Sequence, residues 1–303
     1  MIWGDMMTQL AFDAAVNLQL AIGGVALGSI YGIVALGFVL VFKSTGVLNL
    51  AQGDFLMLGA YLSVTLLLTN DLGLYLAIPL LALFMGFLGL SVHYSVMRHL
   101  VGQPFFSIVL VTIGIGTIIR AVLLMVYGPI EKGRLRALPE GSFKIGSVQV
   151  LWANVIFIAI IALILLMFVM FFRLTRLGLH IRAVADNLEA AAAQGIRPDS
   201  VYAMTWGVSL ALVGIAGLLF GNVNNVTPAA STIGLAALPA AVIGGFSSLG
   251  GAIVGGLIVG VVEILLGYHL GQSWRQPSAF MLLFIILLVK PTGLFGGKEF
   301  ERV

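Results

Sequence analysis

Few residues in this chain could do chemistry, and most of them are embedded in apolar sequence. Arg120 lies within the apolar run 112–124, and Glu263 lies within 258–266. Asp54 closes the stretch Lys43-Ser-Thr-Gly-Val-Leu-Asn49-Leu-Ala-Gln52-Gly-Asp54. A charge surrounded by apolar residues faces protein, water or a partner charge, because lipid solvates it poorly. Arg120 and Glu263 fall toward the same ends of their segments. Three readings stay open for them: snorkelling to the interface, an intramembrane pair with each other, and contact with a moving solute.

Several catalytic patterns are missing. Gly293-Leu-Phe-Gly-Gly-Lys298-Glu lacks the glycine spacing of a P-loop and has no Ser or Thr after its Lys. Gly114-Ile-Gly116 lacks the third glycine of a dinucleotide fingerprint. Gly207-Val-Ser209-Leu-Ala211 lacks the second glycine of a nucleophile elbow. The histidines His93, His99, His180 and His269 form no close zinc-type pair, and the chain has no cysteine. No residue is therefore given a catalytic or metal-ligating role. If this chain moves solute with ATP, the ATPase is on another chain.

Composition defines what must hold these residues. Of 303 residues, 60% are apolar and 9% are charged. A soluble domain has about 45–50% apolar and about 25% charged residues, so the solvent here is largely lipid. A net charge of +3, with its basic residues scattered, gives nothing for nucleic acid. The first 17 residues hold Asp5 and Asp13 and no Lys or Arg, unlike a secretory signal. A span needs about 20 apolar residues, so this length accommodates roughly 8–10 spans. The expectation is an all-α polytopic bundle, one transmembrane domain over 1–303.

Eight apolar segments are legible, at about 17–42, 52–69, 74–97, 105–127, 151–172, 201–221, 232–268 and 278–290. The seventh is too long for one span and divides at Gly244-Gly245-Phe-Ser247-Ser248-Leu-Gly-Gly251. Placing the polar stretch 173–200 in the cytoplasm puts Lys43, Arg98, Arg173, Arg176, Arg182, Arg197, Lys290, Lys298 and Arg302 inside. Only Lys132, Arg134, Arg136, Lys144 and Arg275 remain outside. The N-terminus is then external and the C-terminus cytoplasmic.

Two stretches read poorly as continuous helix in lipid, and irregular backbone at that depth must be buried in protein or line a wet cavity. For the stretch containing Asn49, Gln52 and Asp54, a surface turn and an interior break are equally open. For Gly244, Gly245, Ser247 and Ser248, a break within the bilayer is favoured. Glycine-interrupted segments in the two halves of a chain point to a transporter's central site. The intramembrane glycines, such as Gly24, Gly28, Gly32, Gly256 and Gly260, read first as devices for close helix packing.

The stretch 173–200 is the most informative. From Arg182 to Gln194 the residues are strong helix formers, and Arg182 and Asp186 stand four apart. Gly195 is a natural stop, and Pro198 prevents early resumption. A helix of about three turns should lie outside the membrane, as a linker or as a piece that fits a groove in a soluble partner.

Taken together, these pieces resemble the LivH-like permeases of bacterial branched-chain amino acid ABC importers. The resemblance rests on Gly28-Ser-Ile-Tyr-Gly-Ile-Val-Ala-Leu-Gly37, on Gly46 to Tyr61, and on Arg182-Ala-Val-Ala-Asp-Asn187 with Glu189-Ala190-Ala191 and Gly195-Ile196. It also rests on Ala241 to Ala252 and Lys290-Pro-Thr-Gly-Leu-Phe-Gly296. It implies a second, LivM-like permease, two cytoplasmic ATPases holding ATP and Mg, and an extracytoplasmic solute-binding protein, in the bacterial inner membrane. It further implies that Arg182, Asp186, Glu189, Ala190, Ala191 and Gly195 couple the chain to an ATPase. Thr205-Trp206-Gly207-Val208 stands where the wider importer pattern has Ile-x-Leu-Pro. The same composition also suits an ion-coupled carrier using Asp54, Glu263 or Arg120.

Overall fold

The computed structural model describes residues 2–70, 72–137, 141–145 and 148–297, with backbone alone for 2–14, 144–145, 148 and 153. Lys298 and Arg302, counted above on the inner side, lie outside the described residues. The chain is a polytopic helical bundle. Its helices are α1 (Ile2–Thr45), α2 (Gln52–Val64), α3 (Leu74–Ser95), α4 (Phe105–Tyr127), α5 (Trp152–Leu174), α6 (Arg176–Asp186), α7 (Leu188–Ala193), α8 (Pro198–Val223), α9 (Thr232–Gly244), α10 (Leu249–His269) and α11 (Arg275–Val289). A π-helical turn, Thr65–Thr69, extends α2. A small antiparallel hairpin, β1 (Ser142–Ile145) with β2 (Val148–Leu151), decorates the α4–α5 connection and was not legible in the sequence.

Among the described residues, eight helical segments are long and apolar enough to cross a membrane. They follow the apolar segments read from the sequence, and the seventh divides into α9 and α10 as its glycine run predicts. Burial separates centre from periphery. The most apolar window of α1 is 89% buried and that of α8 is 83%, against 22% for α3, α4 and α5. Lipid gives helices no hydrophobic reason to associate, so close backbone approach supplies the packing. A Cβ on Gly28 would stand 2.7 Å from the Gly256 carbonyl, and one on Gly260 would stand 2.3 Å from Gly28 Cα. The α1–α10 glycines are thus packing devices. On the other side of α8, Gly217 admits the backbone of α2 and Gly207 lies against α3.

One end of the bundle gathers Val41, Val47, Met97, Ile108 and Trp206 in a cluster, joining the end of α1 to the end of α3 and the starts of α4 and α8. At the other end Tyr127 pairs with Tyr61 and Thr65. Against this frame, α2 begins deep inside. Gln52 bonds Ser209, which is eleven residues into α8 and so about 16 Å along it. After Thr45 the chain therefore turns back into the bundle before α2 starts. Helix α9 also begins inside, since a Cβ on Gly53 would meet the Ser231 carbonyl at 1.9 Å and one on Gly234 would meet Gly53 N at 2.3 Å. Two short helices thus place their N-termini together and run in opposite directions.

The Gly244–Ser248 run differs from expectation. It lies at the end of the bundle, not at its centre. Phe246 packs on Phe42 near the end of α1, with ring centroids 4.7 Å apart. The last carbonyls of α9 are taken by the C-terminal segment, with Leu294 N donating to Ile243 O at 2.7 Å and Phe295 N to Gly244 O at 3.1 Å. The interior discontinuity is at the other end of α9, before Thr232.

The single helix expected over 182–194 is also corrected. Helix α6 stops at Asp186, and Asn187 adopts extended backbone and caps α7 by accepting from Ala190 N at 3.0 Å. An Asn side chain that satisfies an orphan N–H favours a new start over continuation. Gly195 ends the segment at φ +85°, as its position predicts.

Candidate functional site: a polar cavity above a sealed junction

The end of the bundle opposite α6 and α7 holds a cavity of about 480 Å³. Helix α1 gives it Tyr31, α10 gives Glu263, and α11 gives Arg275 from its first turn. Its floor is the start of α9, with Thr232, Ile233 and Ala236. The non-helical 224–227 segment, which descends from α8 toward α9, adds Asn224, Asn225 and Thr227. Its polar residues and Pro228 prevent α8 from continuing.

The charges lining this cavity are Arg275, the exposed Glu131, and Glu263, which is the most buried of them. It is 5% exposed, and its Oε2 accepts from the Tyr31 hydroxyl at 2.7 Å. Its Oε1 accepts from Arg275 Nε at 2.9 Å. A buried carboxylate needs such partners, since an uncompensated charge there is strongly unfavourable. Arg275 is less enclosed, with 37% of its side chain exposed.

Arg120 and Glu263 do not pair with each other. Arg120 reaches Asp54 Oδ1 through Nη2 at 2.8 Å and Nε at 3.2 Å. The reason is the chain reversal after Thr45, which carries Asp54 to the level of Arg120 on α4. Asp54 also sits in the first turn of α2, where a negative charge suits the helix N-terminus.

Below the cavity, the α2 start carries a closed amide network. Asn49 Nδ2 donates to Gln52 Oε1 at 2.7 Å, and Gln52 Nε2 donates to Ser209 Oγ at 3.2 Å. Ser209 Oγ in turn donates to the Gly37 carbonyl at 3.0 Å, while Asn49 Oδ1 accepts from Ala51 N. These side chains are buried, and backbone N–H groups of the irregular stretch before α2 find partners within the protein: Gly46 N on the Phe42 carbonyl, Val47 N on Thr45 Oγ1, Ala51 N on Asn49 Oδ1 and Gln52 N on the Asn49 carbonyl. The structure therefore brings Asn49, Gln52 and Asp54 together in the interior. It places Gly244, Gly245, Ser247 and Ser248 at the far end, where Ser248 caps α10 by accepting from Gly251 N.

The segment 182–195 is apart from both. Arg182 donates to the Phe172 carbonyl at the end of α5, and Gly178 packs on that same backbone, so α6 is fixed to α5. On α7, Ala191 is buried, whereas Glu189 and Ala190 are exposed, as are Asp186 before it and Gly195 after it.

Sequence reasoning missed Tyr31, Arg275, Asn224 and Asn225. Tyr31 stood inside a glycine motif as an apparent packing residue, and Arg275 was counted only as an outer-loop charge. The one available signal was the polar run Asn222-Val-Asn-Asn-Val-Thr-Pro228 between two apolar segments.

A multi-span bundle with a polar cavity at one end, a closed interior junction and an exposed helical segment at the other end is an architecture that suits a membrane permease. The chain belongs to the permease components of branched-chain amino acid transport systems, whose family model matches residues 20–290. It is 31% identical to the high-affinity branched-chain amino acid transport system permease protein LivH of Salmonella typhimurium, over 94% of this chain and 97% of the relative. It is 29% identical to the corresponding permease protein BraD of Pseudomonas aeruginosa, over 94% of this chain and 98% of the relative. A more distant match, 28% identical over 88% of this chain and 67% of the relative, is the LivM permease protein of Salmonella typhimurium. No solved structure matches the chain.

Proposed function

We propose that the chain is the membrane-spanning subunit of an ATP-driven importer that receives branched-chain or related amino acids from a soluble binding protein outside the cell. The observation that carries this reading is its likeness to LivH along nearly its whole length. Its weaker likeness to LivM supports a second permease of the same family as its membrane partner. ATP and Mg belong to two cytoplasmic ATPase subunits. The protein lies in the inner, or plasma, membrane, with α6 and α7 on the cytoplasmic side and the cavity facing out.

In this reading the cavity is the outer mouth of the route, and the contact of Gly53 with Gly234 closes it. Closure of the ATPases presses on the exposed side of α7 around Glu189 and Ala190. Ala191 carries that push inward, and α6 passes it to α5 through Phe172. Helix α8 follows α7 directly and packs on α2, so a shift of α8 moves one half-helix against the other. Alternating access then consists of separating two N-termini that are in backbone contact.

Co-purification from mild detergent tests the reading, comparing the native chain with Glu189→Arg and Gly195→Trp. ATPase subunits should accompany the native chain and be lost from both variants while the permease stays correctly inserted. If no ATPase accompanies the native chain and uptake runs on an ion gradient, the importer reading is overturned.

A further inference from the structure

We propose that the cavity beside Glu263 and Arg275 binds the solute as a zwitterion, with its α-carboxylate on Arg275 and its ammonium on Glu263. This rests on the transport reading above and adds the chemistry of recognition. Arg275 spends only Nε on Glu263; among the described residues its two terminal nitrogens make no other hydrogen bond. Those nitrogens form the planar fork that suits a carboxylate. Each Glu263 oxygen accepts one bond, from Arg275 or from Tyr31, and each carboxylate oxygen has a second lone pair. The pair is thus complete as an ion pair and incomplete as a hydrogen-bonding unit, with donors and acceptors left side by side.

A free amino acid presents the mirror of that arrangement. Its carboxylate and ammonium are adjacent and sum to zero charge. Placing it on the Glu263–Arg275 pair matches both of its charges and leaves the cavity's net charge, to which the exposed Glu131 also contributes, unchanged, whereas a keto acid or an amino acid amide leaves one member of the pair unmatched at a half-buried position. The remaining walls of the cavity are mixed: Leu27, Phe220, Ile233 and Ala236 offer an apolar patch for an aliphatic side chain, among polar residues that include Glu131, Asn224 and Gln276. Its volume of about 480 Å³ lies within the roughly 300–1,000 Å³ usual for small-molecule sites. Tyr31 is 2% exposed and fixes the Glu263 carboxylate from the α1 side, so it acts as a positioning residue.

The test is equilibrium binding to the assembled permease–ATPase complex without the binding protein, with tritiated L-leucine as the probe. L-leucine amide and 4-methyl-2-oxopentanoate serve as competitors lacking the carboxylate and the ammonium. Native complex should prefer leucine to both by at least about tenfold, the loss expected for one charge-assisted contact. Arg275→Gln should bring leucine down to the level of the amide, and Arg275→Lys should restore part of the difference. Glu263→Gln should bring leucine down to the level of the keto acid. If the variants weaken all three solutes equally, the pair is structural and the proposal is overturned. Equal binding of the three solutes by the native complex overturns it too. ATP-driven leucine uptake by the same preparation, with binding protein restored, separates the two levels: uptake without the preference sinks the zwitterion site alone, and absence of uptake sinks the importer reading beneath it.

Discussion

The runs 46–51 and 245–248 look alike in the sequence: each is a short glycine-containing interruption beside apolar helix. Their solutions differ. The first re-enters the bundle, where the buried Asn49 accepts from Ala51 N and its own amide bonds Gln52, which in turn bonds Ser209. The second lies at the end of the bundle, where the C-terminal segment takes the carbonyls of Ile243 and Gly244 and donates Gly297 N to Ser247 Oγ, while Ser248 Oγ accepts from Gly251 N. An interior break must find all its partners within the protein, and here the carbonyls of Phe42 and Asn49 share that task with the side chains of Thr45 and Asn49. Both runs turn at a glycine of positive φ, Gly46 at +69° and Gly245 at +96°, and the end break has in addition a neighbouring segment of chain to bond. What separates them is the added support: a buried Asn49–Gln52–Ser209 amide network at the interior break, and a docked C-terminal segment at the end break.

The largest effect should come from Gly53→Val. A Cβ there would stand 1.9 Å from the Ser231 carbonyl and 3.0 Å from Gly234 Cα, and both neighbours are backbone. The two half-helices cannot keep their contact, so the variant should yield no monodisperse permease on size exclusion and no uptake in cells. Gly251→Val belongs to the same class, with the Gly244 carbonyl at 2.2 Å from its Cβ. The comparison predicts that both breaks are equally intolerant of bulk where helices touch. A folded, active Gly53→Val protein would remove the junction as a gate.

Gln52→Leu attacks what is particular to the interior break. It strands Asn49 Nδ2 and removes a partner of Ser209 while leaving the shape nearly unchanged. A buried unsatisfied donor costs about 1–3 kcal/mol, so thermal unfolding in detergent should shift down measurably. Uptake should fall further than stability does if the network holds the gate. An unchanged melting temperature would show that side-chain amides are not what the interior break requires.

How much of this was legible follows from what periodicity and composition encode. The spans from α1 to α11 were visible because hydropathy and length decide them, and the glycine run at 244–251 marked the division of α9 from α10. The family motifs were visible as well. Depth was not. Nothing in the string Lys43 to Asp54 says that the chain turns back inward, so Asp54 could not be matched with Arg120. Facing was equally hidden, and Glu263 acquired Tyr31 and Arg275 only through the α1–α10–α11 packing. The break at Asn187 was closer to legible, since Asn is a preferred cap, yet four alanines after it weighted the reading toward one continuous helix.

Gly245→Ala probes the end break on its own terms. At φ +96° a side chain is strained, and its Cβ would stand 2.6 Å from Gly296 N. The expected cost is about 1–3 kcal/mol, read as a lower melting temperature. The C-terminal segment should loosen first, giving faster proteolysis after Lys290 with the bundle intact.

The smallest effect should be at Gly250, and it sharpens the comparison because its neighbour is Gly251. Both sit in the first turn of α10, but a Cβ on Gly250 would meet nothing within 4 Å. Gly250→Ala removes backbone freedom from the unfolded chain without a clash, which is worth about 0.4–1 kcal/mol in favour of the fold. Its melting temperature should match or slightly exceed that of the native protein, and uptake should be unchanged. The adjacent Gly251→Ala should be destabilised in the same assay. If Gly250→Ala proved as damaging as Gly251→Ala, close backbone contact would not explain the glycines of the end break. The contrast with the interior break would then need another physical basis, in the motion of the turn instead of its packing.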